Sequence, residues 1–122
     1  MSPSLLTKLR QHIADLLARH KIEHVPVTGS WPHRFRGEYA DRRIFCPHVT
    51  TDLYYLVALH EIGHFATVSR RGTLLDEAAV WMWCREVALI WPVEFDQLVA
   101  GCLLTYAKKE TSSARVRKIT NP

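Results

Sequence analysis

Between Ile22 and Val49 the chain meets Pro26, Gly29, Pro32, Gly37 and Pro47 in turn. No helix of ordinary length survives that density of breakers, because proline removes a backbone donor and glycine costs backbone entropy. The flanking stretches read differently. Leu5, Leu6, Leu9, Ile13, Leu16 and Leu17 recur at helical spacing from Ser4 to Lys21, with Ser4 as the N-cap and Pro3 just outside it. A second helix opens at Thr51-Asp52, either of which can cap it, and is expected to run to Arg70-Arg71-Gly72, with Gly72 as its C-cap. A third covers Leu74 to Trp91 and is apolar almost all round, so most of its surface needs cover. Pro92 stops it, and a fourth spans Val93 to Lys108 with Phe95, Leu98, Val99, Cys102, Leu103 and Tyr106 as its stripe.

Inside the broken segment, Glu23 to Thr28 reads as a strand and Gly37 to Cys46 as a second, with Tyr39, Ile44 and Phe45 as its apolar members. Trp31 to Arg36 is either a loop or a third short strand. The fold class is therefore α+β: an N-terminal helix, a small antiparallel sheet, a second helix and two further helices. At 122 residues this is one domain, residues 1–110, followed by a basic flexible tail, 111–122.

Hydrophobic residues make up 48% of the chain, which suits a packed core rather than a disordered chain. The net charge of +4 gathers at Arg34, Arg36, Arg42 and Arg43, and again at Lys108, Lys109, Arg115, Arg117 and Lys118. Such clusters read first as solvated surface and second as a footprint for acidic partners, nucleic acid included. Cys46, Cys84 and Cys102 are odd in number and match no disulfide framework. With no apolar leader and no run of about 18 apolar residues, the expected setting is the cytoplasm, without a membrane.

His60-Glu61-Ile62-Gly63-His64 carries the chemistry. Residues i and i+4 of a helix stand one above the other, so His60 and His64 present two imidazoles to one point, the bite of a tetrahedral zinc ion. Glu61 lies about 100° round the helix from His60 and is placed to act on a zinc-bound water, taking its proton and passing it to a leaving amine. Gly63 weakens the helix, which implies that another element packs closely against it. A third ligand must be acidic, since no histidine follows His64. If the second and third helices form a hairpin turning around Arg70-Arg71, His64 faces Glu77 and His60 faces Trp81. Glu77 then completes a His2Glu site; Asp76, with its shorter side chain and about 100° away, is the rival. Tyr39, Tyr54, Tyr55, His48 and Tyr106 are candidate donors to a transition-state oxyanion, and Asp52 or Asp76 the candidate acid orienting a ligand imidazole. Cys46-Pro47-His48 is a weaker metal pair, with nothing at metal spacing to complete it.

This order of elements resembles the zincin metallopeptidases. Tyr54 to His64 is similar to the small phage- and plasmid-type members: the metallopeptidase domain of antirestriction-type proteins and the family that cleaves phage immunity repressors. Asp76-Glu77-Ala78-Ala79 resembles the helix that supplies their third ligand, although Trp81 departs from the Glu-x-x-Ala-Asn pattern. Gly72 to Asp76 instead fits the GTxxD pattern of aspartate-type zincins. The resemblance, over roughly Gly37 to Pro92, implies a Zn2+-dependent peptidase acting on a protein or peptide, with metal ligands His60, His64 and Glu77 and catalytic Glu61. It also implies that Gly37 to Cys46 aligns the substrate by main-chain pairing. The alternative is a non-catalytic protein- or nucleic-acid-binding module on the same scaffold, with Trp81, Trp83 and Trp91 as anchors. A homodimer would give the third helix the cover it needs.

Overall fold

A computed structural model describes residues 1–28, 35–68 and 72–120, and of 113–120 only the helical backbone. Four helices and three short strands follow the α+β plan: α1 (Pro3–His20), β1 (Glu23–Pro26), β2 (Arg36–Glu38), β3 (Arg43–Cys46), α2 (Asp52–Ala66), α3 (Leu74–Val87) and α4 (Val93–Thr120).

α1 starts two residues earlier than its periodicity suggests. Ser2, not Ser4, caps it by accepting from the Leu5 amide, and Pro3 takes the first helical position, where its missing N–H costs nothing. Leu9, Ile13 and Leu16 bury one face against α2. The sheet is mixed rather than antiparallel, in the order β1-β3-β2. β3 runs parallel to β1 (His24 opposite Ile44) and antiparallel to β2 (Gly37 opposite Ile44). Gly37 to Cys46 is thus a hairpin, not one strand. Its turn is closed by the Arg42 amide donating to the Tyr39 carbonyl at 3.2 Å, with Arg42 at φ 52°. The Glu38 and Asp41 carboxylates both hold the Arg43 guanidinium beside that turn. Trp31 to Arg34 lies outside the described residues, and Arg36 opens β2.

α2 is the centre of the molecule, touching α1, α3, β2 and β3. Thr51 caps it through the Tyr54 amide. Tyr55 through Leu59 and Glu61 through Phe65 are buried, so nearly every face of the helix is covered. Burial of Leu56, Leu59 and Ile62 contributes about 1.5–3 kcal/mol each. The helix stops at Ala66, short of Arg70 and Arg71, which are outside the described residues. There the Thr67 hydroxyl and amide both return to the Gly63 carbonyl, and Val68 turns left-handed at φ 55°. Gly72, at φ +69°, leads instead into Thr73, the N-cap of α3.

α3 ends at Val87 rather than Trp91. The Leu89 amide donates to the Tyr55 hydroxyl at 3.0 Å, which draws the chain out of the helix. Nor is α3 covered all round: Val80, Trp81 and Cys84 are buried, but Leu75 is 80% exposed and Met82 71%. α4 packs Phe95, Leu98, Val99, Cys102 and Leu103 toward the core. It then continues to Thr120 through the stretch read as a tail, in which no proline or glycine interrupts it. Glu110 of α4 reaches back to accept from the Leu74 amide at 2.8 Å, tying α4 to the first turn of α3. No helix among the described residues is long and apolar enough to cross a membrane.

Candidate metal centre

The crossing of α2 and α3 sets the geometry of the site. Gly63 makes the close approach possible: a Cβ there would lie 2.8 Å from Val80 Cγ1 and 3.1 Å from Trp83 Cε3. At that separation the first turn of α3 meets the middle of α2. Glu77 Oε2 lies 2.8 Å from His60 Nε2, and Glu77 Oε1 lies 3.2 Å from His64 Nε2. The two imidazoles, one helical turn apart, have their centroids 4.8 Å from each other at 76°. One donor atom from each of the three side chains falls within 4.8 Å of the other two, close enough for a single ion to bridge them. His64 and Glu77 are buried, and the His60 side chain is 12% exposed.

Without metal, the three groups satisfy one another as an ion pair. Burial alone would lower the His60 pKa, but the Glu61 and Glu77 carboxylates reverse this and raise it to about 9. Burial alone would raise the Glu77 pKa, but His60 and His64 bring it down to about 2. Two imidazole nitrogens and one carboxylate form a donor set that zinc accepts, leaving a fourth position for water or substrate. His60 Nδ1 is buried with no hydrogen-bond partner among the described residues; an ion on Nε2 would leave the ring proton on this nitrogen.

Glu61 stands beside the three converging side chains, its Oε1 3.7 Å from His60 Nδ1. Its other oxygen faces β2, 3.8 Å from where a Cβ on Gly37 would stand. The site opens into a cleft of about 590 Å³. β2 and its flanks contribute Phe35, Arg36, Gly37 and Tyr39 to the walls, and α4 contributes Cys102, Thr105, Tyr106 and Lys109. Burial and the neighbouring Glu77 carboxylate push the Tyr106 hydroxyl up to about 12, so it keeps its proton as a donor.

The structure thus brings His60, Glu61, His64 and Glu77 together. Asp76 is not one of the three converging donors; its amide donates to the Thr73 cap. Asp52 sits at the far end of α2, accepting from the Leu53 amide. Of the oxyanion candidates, Tyr39 and Tyr106 line the cleft. The Tyr55 hydroxyl is engaged with His12 and Leu89, Tyr54 packs on Phe35, and His48 packs on His24. Cys46 is buried with its thiol pushed up to about 12, chiefly by burial, and its sulfur lies 3.5 Å from His24 Nε2. Of the wall that α4 builds, sequence reasoning offered Tyr106 but missed Cys102, Thr105 and Lys109. The wall's one signal was the i, i+4 step from Cys102 to Tyr106, which reads equally as a packing stripe. No known protein family, curated protein or solved structure matches the chain.

Proposed function

We propose that the protein is a zinc-dependent metallopeptidase of the zincin type that hydrolyses peptide bonds of a protein partner in a reducing cytoplasm. One observation carries the reading: two imidazole nitrogens and the Glu77 carboxylate converge within 4.8 Å at the base of a cleft that also holds Glu61. His60, His64 and Glu77 would hold the ion, and a zinc ion bound there supplies Lewis acidity toward a water molecule and a carbonyl oxygen. Glu61, beside the ligands and not among them, takes the proton of the attacking water and returns it to the leaving amine. Tyr106, whose hydroxyl is held beside Glu77, is placed to donate to a developing oxyanion, and Phe35 and Trp81 give the cleft apolar walls. Three free cysteines support the reducing setting.

The charge of the cleft walls supports a preference among substrates. Glu61 and Glu77 are the only acids among its described lining residues, and both belong to the centre itself. Arg36 on β2 and Lys109 on α4 are exposed at its walls, so acidic side chains flanking the scissile bond are favoured.

The test compares wild type with Glu61→Gln for zinc content and for cleavage of an unfolded protein such as reduced casein. Wild type is expected to hold about one zinc per chain and to cleave, as a three-ligand site requires. Glu61→Gln is expected to keep the metal and lose activity by roughly 10²-fold or more. A protein that takes up no zinc, and in which His60→Ala changes nothing, would overturn the reading.

A further inference from the structure

A ligand imidazole usually donates its second ring nitrogen to a carboxylate or a carbonyl, and that bond fixes the ring plane. His60 lacks this support. Its Nδ1 is buried with no hydrogen-bond partner among the described residues, and Glu61 Oε1 stands off at 3.7 Å. The ring is confined all the same. The Trp81 indole lies almost parallel to it, with centroids 4.2 Å apart and planes 17° apart, while His64 meets it edge-on. Trp81 is itself 3% exposed, and its Nε1 likewise has no partner among the described residues. A buried indole N–H left unpaired is destabilising, a cost that leucine or phenylalanine would not incur at the same place. The position therefore holds an indole for its broad flat face and not for its hydrogen bond.

The register explains why the stack forms. Trp81 follows Glu77 by four residues on α3, and His60 precedes His64 by four on α2. The two helices thus meet in two steps one turn apart: at one, Glu77 reaches both imidazoles, and at the other, Trp81 lies flat on His60.

We infer that Trp81 is the positioning residue of this metal centre, its indole face holding the His60 ring in plane where a hydrogen-bonding acid would otherwise do so. The inference rests on the zinc reading above, but it has its own readouts. Zinc affinity is measured by competition with a chromophoric chelator, and the visible spectrum of the Co2+ form reports ligand geometry, for wild type, Trp81→Phe and Trp81→Leu. Trp81→Phe keeps a flat face and is expected to stay within a few-fold of wild type. Trp81→Leu, with its metal-free fold checked by near-UV dichroism, is expected to bind zinc roughly 10–100-fold more weakly and to show an altered Co2+ spectrum. A folded Trp81→Leu with wild-type affinity and an unchanged Co2+ spectrum overturns the inference and leaves the metal centre standing. If Trp81→Leu does not fold, Trp81→Met takes its place under the same zinc-affinity and Co2+ readouts, and wild-type values of both in that variant overturn the inference. A wild type that binds neither ion overturns the centre itself, and this inference with it.

Discussion

The Glu77 carboxylate lies 2.8 Å from His60 Nε2 across the α2–α3 contact, and its other oxygen reaches His64. Its neighbour Asp76 is outside that convergence. The two acids therefore separate cleanly by mutation. Glu77→Ala is expected to weaken zinc binding by more than the roughly 10–100-fold typical of losing a residue that only orients a ligand. Asp76→Ala is expected to leave affinity within a few-fold. Isothermal titration of both variants checks this, and the reverse order would move the third ligand to Asp76.

Gly63 sets the distance between α2, which carries His60 and His64, and α3, which carries Glu77. An alanine methyl there would stand 2.8 Å from Val80 Cγ1, a fully buried side chain with no room to retreat. Gly63→Ala is expected to cost about 1–3 kcal/mol of stability through overpacking, despite alanine's better helix propensity. It should also weaken zinc binding, because α3 carries Glu77 away as it yields. Urea denaturation of the metal-free protein, followed by zinc titration, measures the two effects separately. A variant more stable than wild type would show that the helices are not in contact at this point.

The metal-free site makes a pH prediction whose sign is fixed by the two shifts. His60 is raised from 6.5 to about 9, so its contribution to stability is fully present below pH 6.5 and is lost as pH rises through 9. Glu77 is lowered from 4.5 to about 2, so its contribution is present above pH 4.5 and is lost as pH falls through 2. The pair therefore stabilises the metal-free protein most between pH 4.5 and 6.5. Because a bound ion needs neutral imidazoles, zinc uptake near pH 7 should release about one proton from His60, falling toward none above pH 9. Calorimetry in buffers of different ionisation enthalpy counts that proton. A count of zero at pH 7 would place His60 neutral in the metal-free state.

Much of this site was legible because it rests on local periodicity. Two histidines four apart on one helix, and an acid equidistant from the following turn, are statements about helical geometry, and the structure has Glu77 facing both histidines and Trp81 facing His60. What was not legible depends on contacts distant in sequence or on turns without a signature. Tyr39-Ala40-Asp41-Arg42 closes a hairpin with no glycine or Asn-Gly pair, because Arg42 itself takes the left-handed conformation. The parallel pairing of β1 with β3 joins segments about 20 residues apart, which alternation within either strand cannot reveal. Gly72 read as the cap of α2 because its conformation suits one, but Thr67 and Val68 had already ended that helix.

The charge of the cleft gives a substrate prediction. Arg36 and Lys109 are exposed at its walls, and no acid outside the centre offsets them among the described lining residues. Peptides with Asp or Glu beside the scissile bond should be cleaved with a higher kcat/KM than Lys-flanked ones. The preference should shrink as added salt shortens the screening length below the roughly 8 Å of physiological ionic strength. The double reversal Arg36→Glu with Lys109→Glu should invert the order without loss of zinc. Equal rates for acidic and basic peptides at low salt would show that the walls do not select by charge.

Tyr106 reaches the site from α4, 42 residues beyond His64 in sequence. Its hydroxyl is held near the Glu77 carboxylate, and Lys109 lies 5.6 Å from its ring centroid. Raised to about 12 by burial and by Glu77, the phenol stays protonated across the working range and can donate to an oxyanion. Removing one such donor typically costs on the order of 10²–10³ in kcat. Tyr106→Phe keeps the ring and is expected to lose about that much in kcat, with KM and zinc affinity close to wild type. If Tyr106 served only to brace Glu77, zinc affinity would fall instead and kcat at saturating zinc would recover. Steady-state kinetics at two zinc concentrations, alongside a zinc titration, separates these roles because only the donor role persists when the metal is replete.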